Sequence, residues 1–391
     1  MKSYQEALDI ILSSATATGH ERVGLGESSD RILAEDVYSD MDMPPFDKAA
    51  VDGYACRRSD LGMELKVMEV IAAGQIPSQK IEAGFCTKLM TGAMVPQGAD
   101  MVLMVEVTNE TRPGYIRFTG GESATNIAYK AEEIKTGDLV VKKGVQIMPQ
   151  HVAVLASVGY VNPLVSKKPR VAILSTGDEL VEPREIPGPG QIRNSNATQL
   201  VAQVLKAAAI PNYMGIVPDT EEATDRALKQ ALAENDLVLV TGGVSVGDFD
   251  FVPEIMRKNQ VEILFEKVAI KPGRPTVFGR TGHSSIFGLP GNPVSSFINF
   301  EVFVKPLLFK MMGLQWQPKN FTLQMDVDFY RKKADRMEFL PVIINPSGRV
   351  DLVTYHGSAH IHALCHANAL MTIPAGINSF KKGEMVHVRS L

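Results

Sequence analysis

Three cysteines in 391 residues, Cys56, Cys86 and Cys365, lie far apart and are odd in number. That fits a reducing compartment better than a disulfide framework. No apolar run approaches the roughly 18 residues needed to cross a bilayer, so no membrane span is expected. Excess positive charge is also missing, since 40 basic residues face 44 acidic ones for a formal net charge of −4. A broad surface for nucleic acid or anionic lipid is therefore not expected, and any anion must be gripped locally. The opening stretch MKSYQEALDIILSSA carries Lys2, Glu6 and Asp9 among apolar residues spaced for one helix face. It contains no uninterrupted apolar core, so it reads as neither signal nor anchor, and the expected location is cytoplasmic. There is no internal repeat and no low-complexity tract.

What is present is an ordinary globular composition, 45% hydrophobic and 21% charged, sufficient for about two to four domains. Residues 1–46 read as a helix followed by extended chain that ends in the breaker cluster MDMPPFD. From 47 to 140, short runs such as LKVMEV, DMVLMVEV and YIRF between Gly, Pro and Asn turns predict a β-rich inserted module. A helix over Pro149–Tyr160 and a linker over Pro163–Pro169 return the chain to the first segment, so 1–46 and 141–168 form one helical and extended domain. Over 169–313 strands alternate with helices, at Ala197–Ala209, Thr220–Asn235 and a long helix from Pro293, with Val261–Ile270 read as extended. This rhythm predicts a doubly wound αβ domain at the centre of a multidomain α/β chain. Five β-like runs over 314–391 predict a small carboxyl-terminal β domain.

Three of the apolar runs, Val171–Leu174, Leu237–Val240 and Ile286–Phe287, empty into polar loops reading STGDEL, TGGVSVGDFD and GLPGNP. Buried strands joined through helices lie parallel, and their carboxyl ends open on one crevice where ligands bind. Thr176 on the first loop is a candidate ligand contact. On the second, Gly242, Gly243 and Gly247 let backbone N–H groups approach an anion, Thr241 and Ser245 offer hydroxyls, and Asp248 and Asp250 offer carboxylates. On the third, Pro290 and Pro293 stiffen the backbone, Gly291 supplies a tight turn, and Asn292 leads into a helix start that would aim free N–H groups at the crevice. Glu179, Asp219 and Asp250 sit where three carboxylates would crowd at one sheet edge, a situation that Mg²⁺ relieves. Asp219 with Glu222 also resembles a capping box, and the two roles can coexist. If Val268–Ile270 is extended, Lys267 and Lys271 share a face suited to an oxyanion or phosphate.

The ordered set PPFDKAAVDGYA, KLMTGAMVPQGAD, STGDEL, GQIRNSN, TGGVSVGDFD, KPGRP and GLPGNPVSS closely resembles the molybdopterin molybdenumtransferase (MoeA) family, which includes the carboxyl-terminal domain of gephyrin. The resemblance implies a central domain of molybdopterin-binding type. It implies Mg²⁺-assisted insertion of molybdenum from molybdate into adenylylated molybdopterin, with release of AMP. It further implies homodimers whose site is shared between protomers, and transient contact with the molybdopterin adenylyltransferase. Matching motif by motif, it carries over Asp52, Thr91, Glu179, Asp219, Asp250, Lys267, Lys271, Pro290 and Pro293, with Arg336 in DRMEF and Ser358 in HGS for the oxyanion. Glu179 and Asp250 would hold Mg²⁺.

The chain also departs from the family pattern. In NIAYKAEEI, Ala128 stands where an Arg is expected, Ala131 where Gly is expected, and Glu133 where Asp is expected; Glu133 keeps the charge on a longer stem, and Lys130 is the substitute cation. After HGS, His362 and Ala363 replace a serine pair. These changes leave two alternatives open: a weakened molybdopterin-binding scaffold, or a paralogue handling tungstate. The adenylyltransferase, which shares the αβ domain, lacks the Asp52 module and the tail. His356, His360, His362, Cys365 and His366 crowd one stretch, but their spacing and the lack of a flanking carboxylate favour a polar loop over zinc.

Overall fold

A computed structural model describes residues 1–243 and 252–391. The chain forms two compact units, one of Met1–Ala34, Gly144–Ile147 and Leu164–Leu391, the other of Glu35–Lys143 and Met148–Pro163.

In the first unit a six-stranded sheet runs in the order Ile210–Val217, Arg170–Thr176, Leu237–Thr241, Ser285–Leu289, Val277–Arg280, Glu262–Phe265. The first four strands are mutually parallel and the last two pair antiparallel. Alternation along these strands divides the core in two. Val171, Ile173, Leu237, Leu239 and Phe287 pack with Ala197, Leu200 and Val204 of the Ser195–Lys206 helix. Ala172, Leu174, Val238, Val240 and Ile286 pack with Leu228, Ala231 and Leu232 of the Glu221–Glu234 helix. Because successive strand side chains point to opposite faces, a strand apolar at every position is covered on both sides. The doubly wound expectation holds, with an antiparallel edge added.

Three local readings are corrected. Val261–Ile270 is not one strand: Glu262–Phe265 pairs with Val277–Arg280, whereas Ile270–Lys271 leaves for a second sheet and pairs parallel with Met337–Glu338. The stretch read as a linker contains Leu164–Ser166, which pairs antiparallel with His20–Arg22. The long helix is α-helical over Pro293–Asn299 and Lys305–Met311 with a π-type stretch at Phe300–Val304 between them. Pro306 has no N–H to continue the α ladder, which accounts for the widened register before it.

The carboxyl-terminal sheet runs Ile270–Lys271, Met337–Ile344, Ala369–Ile373, Met385–Ser390, Asn320–Gln324, over a core of Met325, Val342, Val350, Met371, Val386 and Val388. In the second unit, the sheet runs Met101–Met104, Gly53–Cys56, Phe85–Leu89, Glu64–Ile71, Tyr115–Phe118, Thr108–Arg112. Cys56 and Cys86 are buried free thiols, each pushed up to about 12 chiefly by desolvation. They are inert core residues. Among the described residues, no helix is long and apolar enough to cross a membrane.

Candidate functional site

The three parallel strands end together. Arg170–Thr176, Leu237–Thr241 and Ser285–Leu289 are neighbours in register, Ser175 opposite Thr241 and Thr241 opposite Leu289. At these strand ends lies a cavity of about 350 Å³ lined by Thr176, Glu179, Thr241, Gly242, Gly291, Asn292 and Pro293, together with Arg193–Asn196, Ala359 and Ile361. That volume falls in the small-molecule range. A larger hollow of about 790 Å³ lies in the second unit, between Pro45, Phe46, Asp47 and Lys130. The strand-end cavity is the stronger candidate because three parallel strands in register deliver its lining, and beside it the buried Thr176 hydroxyl has no hydrogen-bond partner among the described residues.

Glycine makes this floor possible at Gly242. Its φ is +97°, and a Cβ there would lie 2.4 Å from the Thr176 carbonyl oxygen. Its own N–H is already given to the Leu289 carbonyl at 3.2 Å, so Gly242 shapes the cavity and does not donate to an anion as expected. Gly243 also lies close, its Cβ position 3.1 Å from the Thr176 hydroxyl. Gly291 does not take a left-handed backbone, and an added Cβ would find Gly242 Cα at an ordinary 3.9 Å. The third loop is tight through Pro290 and Pro293, not through Gly291. Ser245, Gly247, Asp248 and Asp250 lie outside the described residues.

Glu179 is exposed at the cavity rim and folds over Gly177, where a Cβ would lie 2.6 Å from its Oε2. Asp219 is placed differently from the capping reading. Thr220 caps the helix by accepting from the Ala223 N–H at 3.3 Å, and Asp219 instead exchanges hydrogen bonds with Asp178. Asp219 Oδ2 accepts the Asp178 N–H at 3.3 Å, and Asp178 Oδ1 accepts the Asp219 N–H at 3.1 Å. Backbone donors can thus hold these two carboxylates side by side, tying the first loop to the next strand's end. Glu179, the Thr176 hydroxyl and this pair offer only oxygen, which suits Mg²⁺ in kind. Among the described residues no three metal-ligating side chains gather into one cluster.

The helix start on the third loop is also not as expected. The Val294 N–H donates to the Ser358 carbonyl at 3.0 Å, and Asn292 Nδ2 donates to the Ser358 hydroxyl at 3.0 Å. The HGS turn therefore occupies a donor that the sequence reading left for a ligand, and it brings Ser358 against the cavity wall. His362 and Ala363 fall in a 3₁₀ turn over Ile361–Cys365, not on a strand face. His356 and His360 stack with ring centroids 5.0 Å apart.

Sequence reasoning missed Asn194 and Asn196, although GQIRNSN was in view. Asn194 caps the Ser195–Lys206 helix through Ala197 N–H at 3.2 Å, and its amide donates to the Tyr213 hydroxyl at 3.0 Å. Asn196 donates to Thr241 Oγ1 at 3.1 Å and to the Gly291 carbonyl at 2.7 Å, clamping two strand-end loops from a buried position. Two Asn at a strand-to-helix junction are the signal that was available.

Lys271 pairs with Glu338 at 2.9 Å, and Arg336 donates to the Ile270 carbonyl at 3.2 Å, so these two cations share one short stretch of paired backbone. Lys267 is exposed, and its carbonyl accepts from the Lys2 N–H at 3.0 Å. The chain bends between Lys267 and Lys271, so the two do not share one continuous strand face.

In the second unit, Asp52 and Thr91 come together. One carboxylate oxygen of Asp52 accepts both the Thr91 N–H, at 2.6 Å, and its hydroxyl, at 2.7 Å. These bonds hold the Asp52 carboxyl below its ordinary range, the Thr91 hydroxyl first. Gly53 beside it is required by the sheet, since a Cβ would lie 2.1 Å from the Leu103 carbonyl oxygen. Glu133 is exposed, and its N–H donates to the Met43 carbonyl at 3.0 Å. Lys130 pairs with Asp42 at 3.3 Å, which turns the substitute cation toward its own unit's carboxylate.

Family comparison reaches almost every part of the chain. Residues 2–159 match the MoeA N-terminal region (domain I and II), 172–310 a probable molybdopterin binding domain, and 327–391 the MoeA C-terminal region (domain IV). A molybdopterin molybdenumtransferase of Staphylococcus epidermidis is 36% identical, covering 99% of this chain and 94% of the relative. The chain belongs to the MoeA family. A Staphylococcus aureus molybdopterin molybdenumtransferase is likewise 36% identical, covering 98% of this chain and 94% of its own length. The crystal structure of the molybdopterin biosynthesis moeA protein from Pyrococcus horikoshii superposes with a TM-score of 0.86 at 32% identity, covering 100% of both chains. The resemblance read from the motifs, the multidomain α/β architecture and the assignment to an enzyme family of molybdenum cofactor biosynthesis therefore stand.

Proposed function

We propose that this MoeA-family protein inserts molybdenum from molybdate into adenylylated molybdopterin and releases AMP. The observation that carries the reading is the strand-end cavity, where Thr176, Glu179, Asn292 and Pro293 meet at the carboxyl ends of three parallel strands. The substrates carry concentrated negative charge in a phosphoanhydride, a dithiolene and an oxyanion. Lys271 and Arg336, with Lys267, would neutralise the oxyanion. Thr176, Asn292 and the rigid Pro290–Pro293 turn would position the pterin nucleotide. Glu179, joined by Asp250, would hold Mg²⁺, which lowers the charge felt at the phosphate when bound. Asp52, Thr91 and Glu133 would complete the site from a second protomer of a homodimer, and the adenylyltransferase would deliver the substrate by transient contact. A cytoplasmic location fits this chemistry.

Purified protein given adenylylated molybdopterin, Mg²⁺ and molybdate should release AMP in step with metallated product. Absence of both would overturn the reading. A binding or scaffold role is the second reading, favoured by Ala128 and by the engagement of Lys130 with Asp42. Tight binding of the nucleotide without AMP release would select it. Running the assay with tungstate in place of molybdate decides which oxyanion is preferred.

A further inference from the structure

The buried carboxylate of Glu338 sits between two cations and treats them differently. Oε2 meets Arg331 Nη1 at 3.1 Å, with both side chains at most 4% exposed, while Oε1 meets the Lys271 ammonium at 2.9 Å, which is 46% exposed. Arg331 has no freedom to serve a ligand. Its Nε donates to the Ile377 carbonyl at 2.7 Å, Nη2 to the Pro374 carbonyl at 2.7 Å, and Nη1 also to the Arg336 carbonyl at 3.1 Å. Lys271 gives one of its three N–H bonds to Glu338 and keeps its outer side in solvent. A lysine side chain on its own is a mobile point charge on a four-carbon stem. Here one oxygen of a buried anion pins its tip.

Resting on the transferase reading, we propose that Glu338 is a positioning residue that holds the Lys271 ammonium in place for an incoming tetrahedral oxyanion, with Arg331 locking Glu338 and the backbone of Arg336 into the same frame. Lys271 and Glu338 are register partners in the parallel pair of Ile270–Lys271 with Met337–Ile344, so the charge is set by backbone pairing as well as by the ion pair. The three groups sum to one net positive charge, which stays on the exposed member.

Glu338→Gln keeps the volume and removes the charge. By calorimetry its affinity for molybdate should fall at least about tenfold, with affinity for adenylylated molybdopterin within about twofold of wild type, a split that a purely structural lesion would not give. Its crystal structure should show the Lys271 ammonium displaced. Should Glu338→Gln fail to fold, the double variant Glu338→Gln with Arg331→Gln removes both buried charges while keeping an amide donor for the carbonyls that Arg331 serves. Molybdate binding should stay weak in that variant, because Lys271 remains unanchored. Recovery of wild-type molybdate affinity in the double variant, or a Lys271 ammonium unmoved in either variant, overturns the proposal. Wild-type protein that neither binds molybdate nor releases AMP defeats the transferase reading instead, and the Lys271 position in the variant crystals still decides the role of Glu338.

Discussion

Thr91 gives both its backbone N–H and its hydroxyl to a single oxygen of Asp52, 39 positions earlier in the chain. Two donors on one exposed carboxylate hold it ionised to lower pH than usual. The sign follows directly. A depressed folded-state pKa means charge is retained as pH falls and is lost only on passing through the lowered value. Thr91→Val deletes the larger of the two bonds, so the Asp52 pKa should rise and the acid limb of turnover should move to higher pH; Thr91→Ser should restore both. NMR titration of Asp52 alongside the pH profile measures this, and an Asp52 titration unchanged in Thr91→Val would refute it.

Two glycines of the cavity make opposite predictions. Gly242→Ala combines a left-handed backbone with a Cβ 2.4 Å from the Thr176 carbonyl oxygen, and neither neighbour is a flexible side-chain end. It should destabilise the first unit by about 2–5 kcal/mol, the sum of the left-handed cost and overpacking. Gly291→Ala meets only an ordinary contact and should unfold at the wild-type urea concentration, while its methyl group raises the Michaelis constant for the nucleotide by narrowing the cavity. Equal urea midpoints for the two variants would contradict the close approach of the strand ends.

Ala131 is a backbone anomaly that the sequence pattern anticipated without explaining. Its φ is +59°, and its N–H donates to the Pro44 carbonyl at 3.0 Å, so a side chain occupies a left-handed turn where the family pattern has Gly. Ala131→Gly removes a steric cost of about 1–2 kcal/mol and adds about 0.5–1 kcal/mol of unfolded-state entropy. A net gain of roughly 0.5 kcal/mol should appear as a higher urea midpoint. A lower midpoint would show that the turn's hydrogen bonds, not its backbone conformation, set local stability.

These cases mark what was legible in the sequence. The parallel strands and the crevice at their ends were readable because apolar periodicity reports burial on both faces, and Val171–Leu174 carries no polar interruption. The ordered motifs gave the family because loop residues are constrained by chemistry, not by propensity. What stayed hidden were contacts closed across sequence distance. Nothing local to Asn292 or Val294 announces that Ser358 will take their donors, and nothing near Lys271 announces Glu338 as its partner. The break after Phe265 was equally invisible, since Val268 and Ile270 are as apolar as the strand before them but are buried in a different pairing.

Asp52 and Glu179 belong to different compact units, and the proposed dimer makes a strict demand on them. If each catalytic site takes Asp52 from one protomer and Glu179 from the other, Asp52→Asn and Glu179→Gln homodimers should both be inactive. Mixing them through partial denaturation and reassembly yields heterodimers as half of the population. Each heterodimer has one site carrying both lesions and one carrying neither, because a two-fold interface repeats the same pairing twice. Activity should therefore recover to about one quarter of wild type. Sites built within single protomers would always hold one lesion each, and the mixture would stay inactive. AMP release from the reassembled mixture, compared with each parent carried through the same treatment, distinguishes the two arrangements.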